Sequence, residues 1–248
     1  MKFVVLTIFP EMINPFLESG MLRLAVERGI IDARALNIRD YADGKHRVTD
    51  DKPYGGGCGM VMKPEPLSRA IGAASEIAPT ARRILLTPQG RPFDQAMAHE
   101  FAASDGLIFI CGRYEGVDER ICQGMVDEEV SIGDYVMTGG ELAAMVIVDA
   151  VTRLLPGVLG GDESAEKDSF SGGLLEHAHY TRPSVFGGEG VPDILMSGNH
   201  AEIEKWRRET SLIRTFLKRP DLLEKREFSR EEKHVLTEWC RRIEDLVG

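Results

Sequence analysis

The chain has no C-x-x-C pair: its four cysteines, Cys58, Cys111, Cys122 and Cys240, stand apart. A zinc site or a redox dithiol is therefore disfavoured, and reduced thiols in a cytoplasmic protein are the expected state. No G-x-G-x-x-G follows a strand and no G-x-x-x-x-G-K-[ST] occurs, which argues against a dinucleotide oxidoreductase and a P-loop NTPase. H-E-x-x-H and G-x-S-x-G are also missing. His177 and His179 lie two residues apart without a third ligand, so no metal site is assigned. No apolar stretch approaches the roughly 20 residues of a membrane span. The run from Phe3 to Phe9 stops at Pro10 and Glu11 with no cleavage site after it, so it reads as a buried strand and not as a secretory signal. Positive charge is not in excess either. A net charge of −10 argues against a general nucleic-acid coat protein.

What is present is a 248-residue chain, 43% hydrophobic, long enough for one large domain or two smaller ones. Short apolar runs alternate with helical segments. "KFVVLTIF" (2–9) precedes an amphipathic stretch to about Arg28, and "IIDARALNI" (30–38) follows. "RRILLT" (82–87) precedes a helix near 94–104, "GLIFICG" (106–112) one near 117–125, and "EEVSIG" (128–133) a longer one at 141–155. Strands apolar throughout, alternating with helices, predict an α/β fold with a mostly parallel sheet covered on both faces. After Leu155 the chain turns to glycines, acids and serines (156–173), as a linker or mobile loop would. Beyond about 197 it becomes helical, and Ser229 with Glu232 forms a capping box before the last helix.

Ligands of open parallel sheets sit beyond the carboxyl ends of the strands. Three glycine-bearing loops fall there: "TPQGRPF" (87–93), "CGRYEG" (111–116) and "IGDYVMTGG" (132–140). Glycine lets backbone approach a ligand closely, so a shared pocket follows if the strands are neighbours. Ordinary turn chemistry is the plainer reading, and for the third loop Thr138 and Glu141 also match a capping box.

Six blocks carry a resemblance: "IFPEM" (8–12), "HRVTDDKPYGGGCGMVMKPEP" (46–66), "GRYEGVDER" (112–120), "SIGDYVMTGGELAAM" (131–145), "DSFSGGLLEHAHYTRP" (168–183) and "SGNHAEIEKWR" (197–207). In this order, nearly end to end, the chain resembles the bacterial tRNA (guanine-N1)-methyltransferase (TrmD) family of SPOUT methyltransferases. Cys58 stands where the family often has proline, and Met137 where leucine is common. The resemblance implies a knotted S-adenosylmethionine-binding domain over 1–160 with a deep trefoil knot near 85–140, a flexible linker over 161–172, and a mainly helical tRNA-binding domain over 173–248. It implies methyl transfer to N1 of guanosine 37, next to the anticodon, by a cytoplasmic homodimer whose active site is shared between subunits. The cofactor positions are Gly112, Ile132, Gly133, Asp134, Tyr135, Val136, Met137, Gly139 and Gly140, with Thr87 and Pro88 from the first loop and Tyr114 and Glu115 from the second.

Asp168 matches the family's catalytic aspartate, and a carboxylate within reach can take the N1 proton. Without the resemblance it would be a solvated loop acid. Arg153 matches an arginine that helps bind guanine; its plain reading is a cation at a helix C-terminus. Glu115 matches a site residue that would face the donor's sulfur or the guanine edge. Some members use magnesium, for which Asp168 and Glu115 offer oxygen, though the sequence gives no ligand set. For tRNA phosphates, Arg207, Arg214 and Lys218 share a helix face, with Lys205, Arg208 and Arg219 nearby; an ion pair of Glu204 with Arg208 is the plainer reading. The alternatives are a related SPOUT enzyme acting on another nucleotide or on ribose, and a non-catalytic RNA-binding protein.

Overall fold

A computed structural model describes residues 1–160, 168–224 and 226–247. The chain divides into two compact units, Met1–Asp162 and Glu163–Gly248. The segment 161–167, the greater part of the expected linker, lies outside the described residues.

The first unit runs β1 (Lys2–Thr7), α1 (Pro10–Leu17), α2 (Gly20–Glu27), β2 (Asp32–Asn37), β3 (Asp50–Asp51), β4 (Val61–Met62), α3 (Pro64–Ile77), β5 (Arg82–Pro92), α4 (Gln95–Ala102), β6 (Gly106–Cys111), α5 (Glu119–Met125), β7 (Glu128–Ser131) and α6 (Glu141–Thr152). Five strands form one sheet in the order β2-β1-β6-β5-β7, every pairing parallel. Strand side chains alternate between faces, and both faces are apolar. Phe3, Val5, Leu107 and Phe109 pack with residues of α1, α2, α4 and α6, whereas Val4, Leu6, Ile108 and Ile110 pack with residues of α3 and α5. Each such large side chain removed from water contributes about 1.5–3 kcal/mol.

Three elements differ from the sequence expectation. The amphipathic stretch to Arg28 is two helices, because the chain turns at Ser19 and Gly20, the latter at φ +54°. Helix α3 was not expected; its buried face sets Leu67 and Ile71 beside the small Ala70 and Ala74. Strand β5 continues past Thr87 to Pro92. Ile84–Leu86 pair with Glu128–Val130, the register then shifts, and Arg91 and Pro92 pair with Val130 and Ser131. The intervening residues bulge out, consistent with Pro88, which has no N–H to give the ladder.

The second unit contains the hairpin β8 (Val185–Phe186) and β9 (Glu189–Gly190), a short helix α7 (Asp193–Met196), and the long helices α8 (His200–Lys218) and α9 (Arg230–Val247). The capping box holds: Glu232 N–H donates to Ser229 Oγ at 3.2 Å, and Ser229 N–H donates to Glu232 Oε2 at 2.8 Å. Phe216 of α8 meets Trp239 of α9 edge to face, with ring centroids 5.8 Å apart. Among the described residues, Leu212, Leu223 and Thr215 are the buried ones of this unit.

Candidate functional site

Strands β6, β5 and β7 are adjacent in the sheet, so the three glycine loops at their carboxyl ends are neighbours. They enclose a cavity of about 400 Å3 lined by Thr87, Pro88, Gly112, Tyr114, Glu115, Ile132, Gly133, Tyr135, Val136, Met137, Gly139 and Gly140. Its volume is that of a small-molecule site. One expected member is not there: Asp134 is exposed and does not line it. Arg113, Thr138, Leu86 and Ala143 line it without having been expected.

The 132–140 loop is held from several sides. Gly140 N–H donates to the Gly112 carbonyl at 3.0 Å, and Gly139 bridges Arg113. A Cβ on Gly139 would lie 2.2 Å from Arg113 Nε and 2.6 Å from Glu141 Oε2, so a side chain there has no room. At the loop's other end Ser131 Oγ accepts from Gly133 N–H at 3.2 Å, and the Tyr135 hydroxyl donates to the Ile132 carbonyl at 3.3 Å.

Glu141 does not form the expected capping box. Gly140 is the N-cap of α6 and no side chain caps it. Instead the Glu141 carboxylate is 1% exposed, accepts from the Thr7 hydroxyl at 2.6 Å, and pairs with Arg113 at 2.9 Å. Next to it, burial pushes the Cys111 thiol well above its ordinary range, and the Glu141 carboxylate adds to that, so Cys111 stays neutral.

Glu115 is exposed at the cavity's edge, its N–H donating to the Met60 carbonyl at 2.9 Å. Its carboxylate lies over Gly59, where a Cβ would come within 2.2 Å of Oε1, and Gly59 itself is at φ +84°. The glycines of "YGGGCGM" thus let one loop close on Glu115. Tyr114 beside it adopts φ +60°, a conformation costly for a side-chain-bearing residue and concentrated at functional positions.

Arg153 does not join this cavity. It is the C-cap residue of α6, 10 residues beyond the cavity-lining Ala143, which puts it about 15 Å along the helix axis from the cavity.

Asp168 belongs to the second unit. There it lines a cavity of about 1070 Å3 with Leu174, His177, Arg207, Arg208 and Trp239 among its neighbours. The turn that follows is built tightly. The Asp168 carbonyl accepts from Ser171 N–H at 3.3 Å, and Phe170 is at φ +76° with its N–H on the Leu174 carbonyl at 2.8 Å. Leu175 anchors the segment to α8: its N–H donates to Thr215 Oγ1 at 2.9 Å, and its carbonyl accepts from Ser211 Oγ at 2.5 Å. The strained Phe170 carries no sequence signal beyond its place in the 168–183 block.

All of Lys205, Arg207, Arg208, Arg214 and Lys218 lie on α8. Glu204 pairs with Arg207 at 2.5 Å, not with Arg208, and Arg219 pairs with Asp221 at 2.7 Å. Two of the six basic groups are thereby partly neutralised. Among the described residues no three His, Cys, Asp or Glu side chains gather where they could hold a metal ion, and no helix is long and apolar enough to cross a membrane.

A family profile described as tRNA (guanine-1)-methyltransferase TrmD matches residues 1–225. The chain is 56% identical over 247 residues to the tRNA (guanine-N(1)-)-methyltransferase of Desulfatibacillum aliphaticivorans, covering 100% of this chain and 94% of that one. It is 55% identical over 245 residues to the protein of the same name from Syntrophotalea carbinolica, with 98% of each covered. With the Geotalea uraniireducens protein of that name it shares 57% identity over 238 residues, 96% of each chain.

Proposed function

The chain belongs to the tRNA (guanine-1)-methyltransferase TrmD family, and from that membership we propose that it methylates N1 of guanosine 37 in tRNA with S-adenosylmethionine as donor. The observation that carries the reading is the single cavity that gathers the loops of β5, β6 and β7. When bound, S-adenosylmethionine supplies a methyl group already activated on a sulfonium sulfur. The residues present fit such a group. Gly139 and Gly140 carry the loop's bare backbone tightly against Arg113, Cys111 and Leu86 at the cavity wall, and Leu86, Ile132 and Met137 offer an apolar bed for an adenosine. Glu115, on the cavity's edge, offers a negative charge toward a cation.

Asp168 takes the N1 proton of guanine as the general base. Arg153 donates to guanine O6 and offsets the charge that deprotonation leaves. Within one chain Arg153 stands about 15 Å along α6 from the cavity-lining Ala143. That separation favours Arg153 serving the cavity of a second copy, in a homodimer with shared sites. The same helix exposes Leu142 (51%) and Val146 (47%) one turn apart, an apolar stripe suited to a partner. The loops of 85–140 form the trefoil knot of the SPOUT fold, the second unit binds tRNA through the α8 cations, and the enzyme resides in the cytoplasm.

Incubation with labelled S-adenosylmethionine and unmodified tRNA bearing guanosine 37, followed by nucleoside digestion, tests this. The expected product is 1-methylguanosine at that position alone. A methylated ribose, or another methylated base, overturns the assignment. Asp168→Asn should lower turnover by about 10²–10⁴-fold, the range of general base catalysis, with donor affinity unchanged. Near-wild-type turnover removes Asp168 as the base.

A further inference from the structure

The cavity's third loop is tied to the rest of the sheet by a buried ionic cluster that has no place among the groups assigned above. Glu141, the first residue of α6, is buried beside the guanidinium of Arg113, whose side chain is 15% exposed. Arg113 Nε donates to both Glu141 oxygens at 3.2 and 3.0 Å, and its Nη1 donates to the Thr138 carbonyl at 3.1 Å. Thr7, at the end of β1, donates its hydroxyl to Glu141 Oε1 and accepts from Phe9 N–H at 2.9 Å. The guanidinium lies over the Phe9 ring at 4.6 Å and within 3.5 Å of the Met12 sulfur. Three strand ends therefore meet in one cluster: β1 through Thr7, β6 through Arg113, and β7 through Thr138 to Glu141.

Burying an ion pair is a poor way to gain stability, since apolar residues of similar volume do as well or better. What such a pair gives is geometry. Arg113's planar fork fixes two points at once, one at the start of α6 and one within the cofactor loop, and Thr7 satisfies Glu141 from the opposite side. Gly139 passes directly under this contact, which is why no side chain fits there. The block "IFPEM", which lines no part of the cavity, supplies Phe9 and Met12 as the apolar floor.

We propose that Thr7, Arg113 and Glu141 form a clasp that positions the 132–140 loop for the cofactor, with Thr7 and Glu141 acting only through that loop. The proposal rests on the reading of the cavity as the S-adenosylmethionine site. Losing the clasp loosens the loop's backbone amides and carbonyls, so cofactor affinity falls while tRNA binding and the proton-transfer chemistry of Asp168 do not.

The test uses Thr7→Val, Thr7→Ser, Glu141→Gln and Arg113→Lys in the full chain. S-adenosylmethionine affinity is read by calorimetry, KM for each substrate by initial rates, and folded fraction by thermal melting. Thr7→Val should raise the dissociation constant by up to about tenfold, the ceiling if the whole of one hydrogen bond to a charged group goes into ordering the loop, and raise KM for the donor in step. KM for tRNA and kcat should stay within about twofold, since only cofactor binding is touched. Thr7→Ser, which keeps the hydroxyl, should bind like the wild type. Glu141→Gln and Arg113→Lys should loosen binding at least as much as Thr7→Val. Thr7 does not line the cavity and valine matches its shape, so that pair decides even if the ionic variants fold poorly. If folded Thr7→Val and Glu141→Gln bind with wild-type affinity while the wild type binds well, the clasp is merely structural and the proposal falls alone. If wild-type protein takes up no S-adenosylmethionine, the reading of the cavity falls with it.

Discussion

The two units solve different problems with different amounts of interior. In the first, both faces of the sheet are buried, and strand β6 has no exposed residue. Its loops are held by backbone contacts and by the Thr7–Glu141–Arg113 cluster. In the second, the buried residues described are Leu212, Leu223 and Thr215, and the helices present mostly charge. A rigid frame suits a small ligand whose atoms must be met to within a fraction of an ångström. A thin-cored, charged pair of helices suits a large polyanion that brings its own shape. In the proposed reading, cofactor recognition goes with the built interior and RNA recognition with the unit that has little of one.

The sharpest probe of that difference is a matched truncation. Phe109→Ala, in the middle of β6 and 0% exposed, should destabilise the chain by about 3–5 kcal/mol in chemical denaturation. Phe216→Ala, in the second unit and 43% exposed, should cost only about 1 kcal/mol, mostly its edge contact with Trp239. Equal losses would erase the distinction between a frame and a thin shell. Between these lies Gly139→Ala, whose Cβ has no room under Arg113; it should cost about 1–3 kcal/mol and weaken donor binding while tRNA affinity, measured by filter binding, is retained.

The smallest effect is electrostatic. The Arg83 guanidinium hydrogen-bonds Asp127 and holds its carboxyl below the usual carboxylate value. A depressed carboxyl stabilises the fold above its unfolded value of about 3.9, and that contribution is lost as pH falls through the lower folded value. Asp127→Asn should therefore melt about 0.5 kcal/mol less stably at pH 7, as for an exposed pair, and the gap should close toward pH 3. A gap that widens in acid would mean the pair has the opposite sign.

Much of the first unit was legible because its strands are apolar on both faces, which few other elements imitate. "GLIFIC" and "KFVVLT" could hardly be anything else. Helix α3 escaped because alanine and glycine blur its 3.6-residue pattern, and the far half of β5 because Pro88, Gln89 and Gly90 read as a turn. The three loops announced themselves through glycine. The clasp did not: Arg113 reads as a surface charge and Glu141 as a cap, and Thr7 and Glu141 meet across 134 residues with no local trace. Asp168 and Arg153 are candidates only through the resemblance, since an acid in a polar segment and a cation after a helix are commonplace.

Helix α6 has a consequence for how such a protein changes over time. With the cavity at its first turn and Arg153 just past Thr152, it acts, in the proposed reading, as a ruler between the cofactor and the target base. Adding or deleting one residue inside it would swing Arg153 by about 100° and shift it by about 1.5 Å. A change of length there would disturb that spacing more than a conservative substitution would.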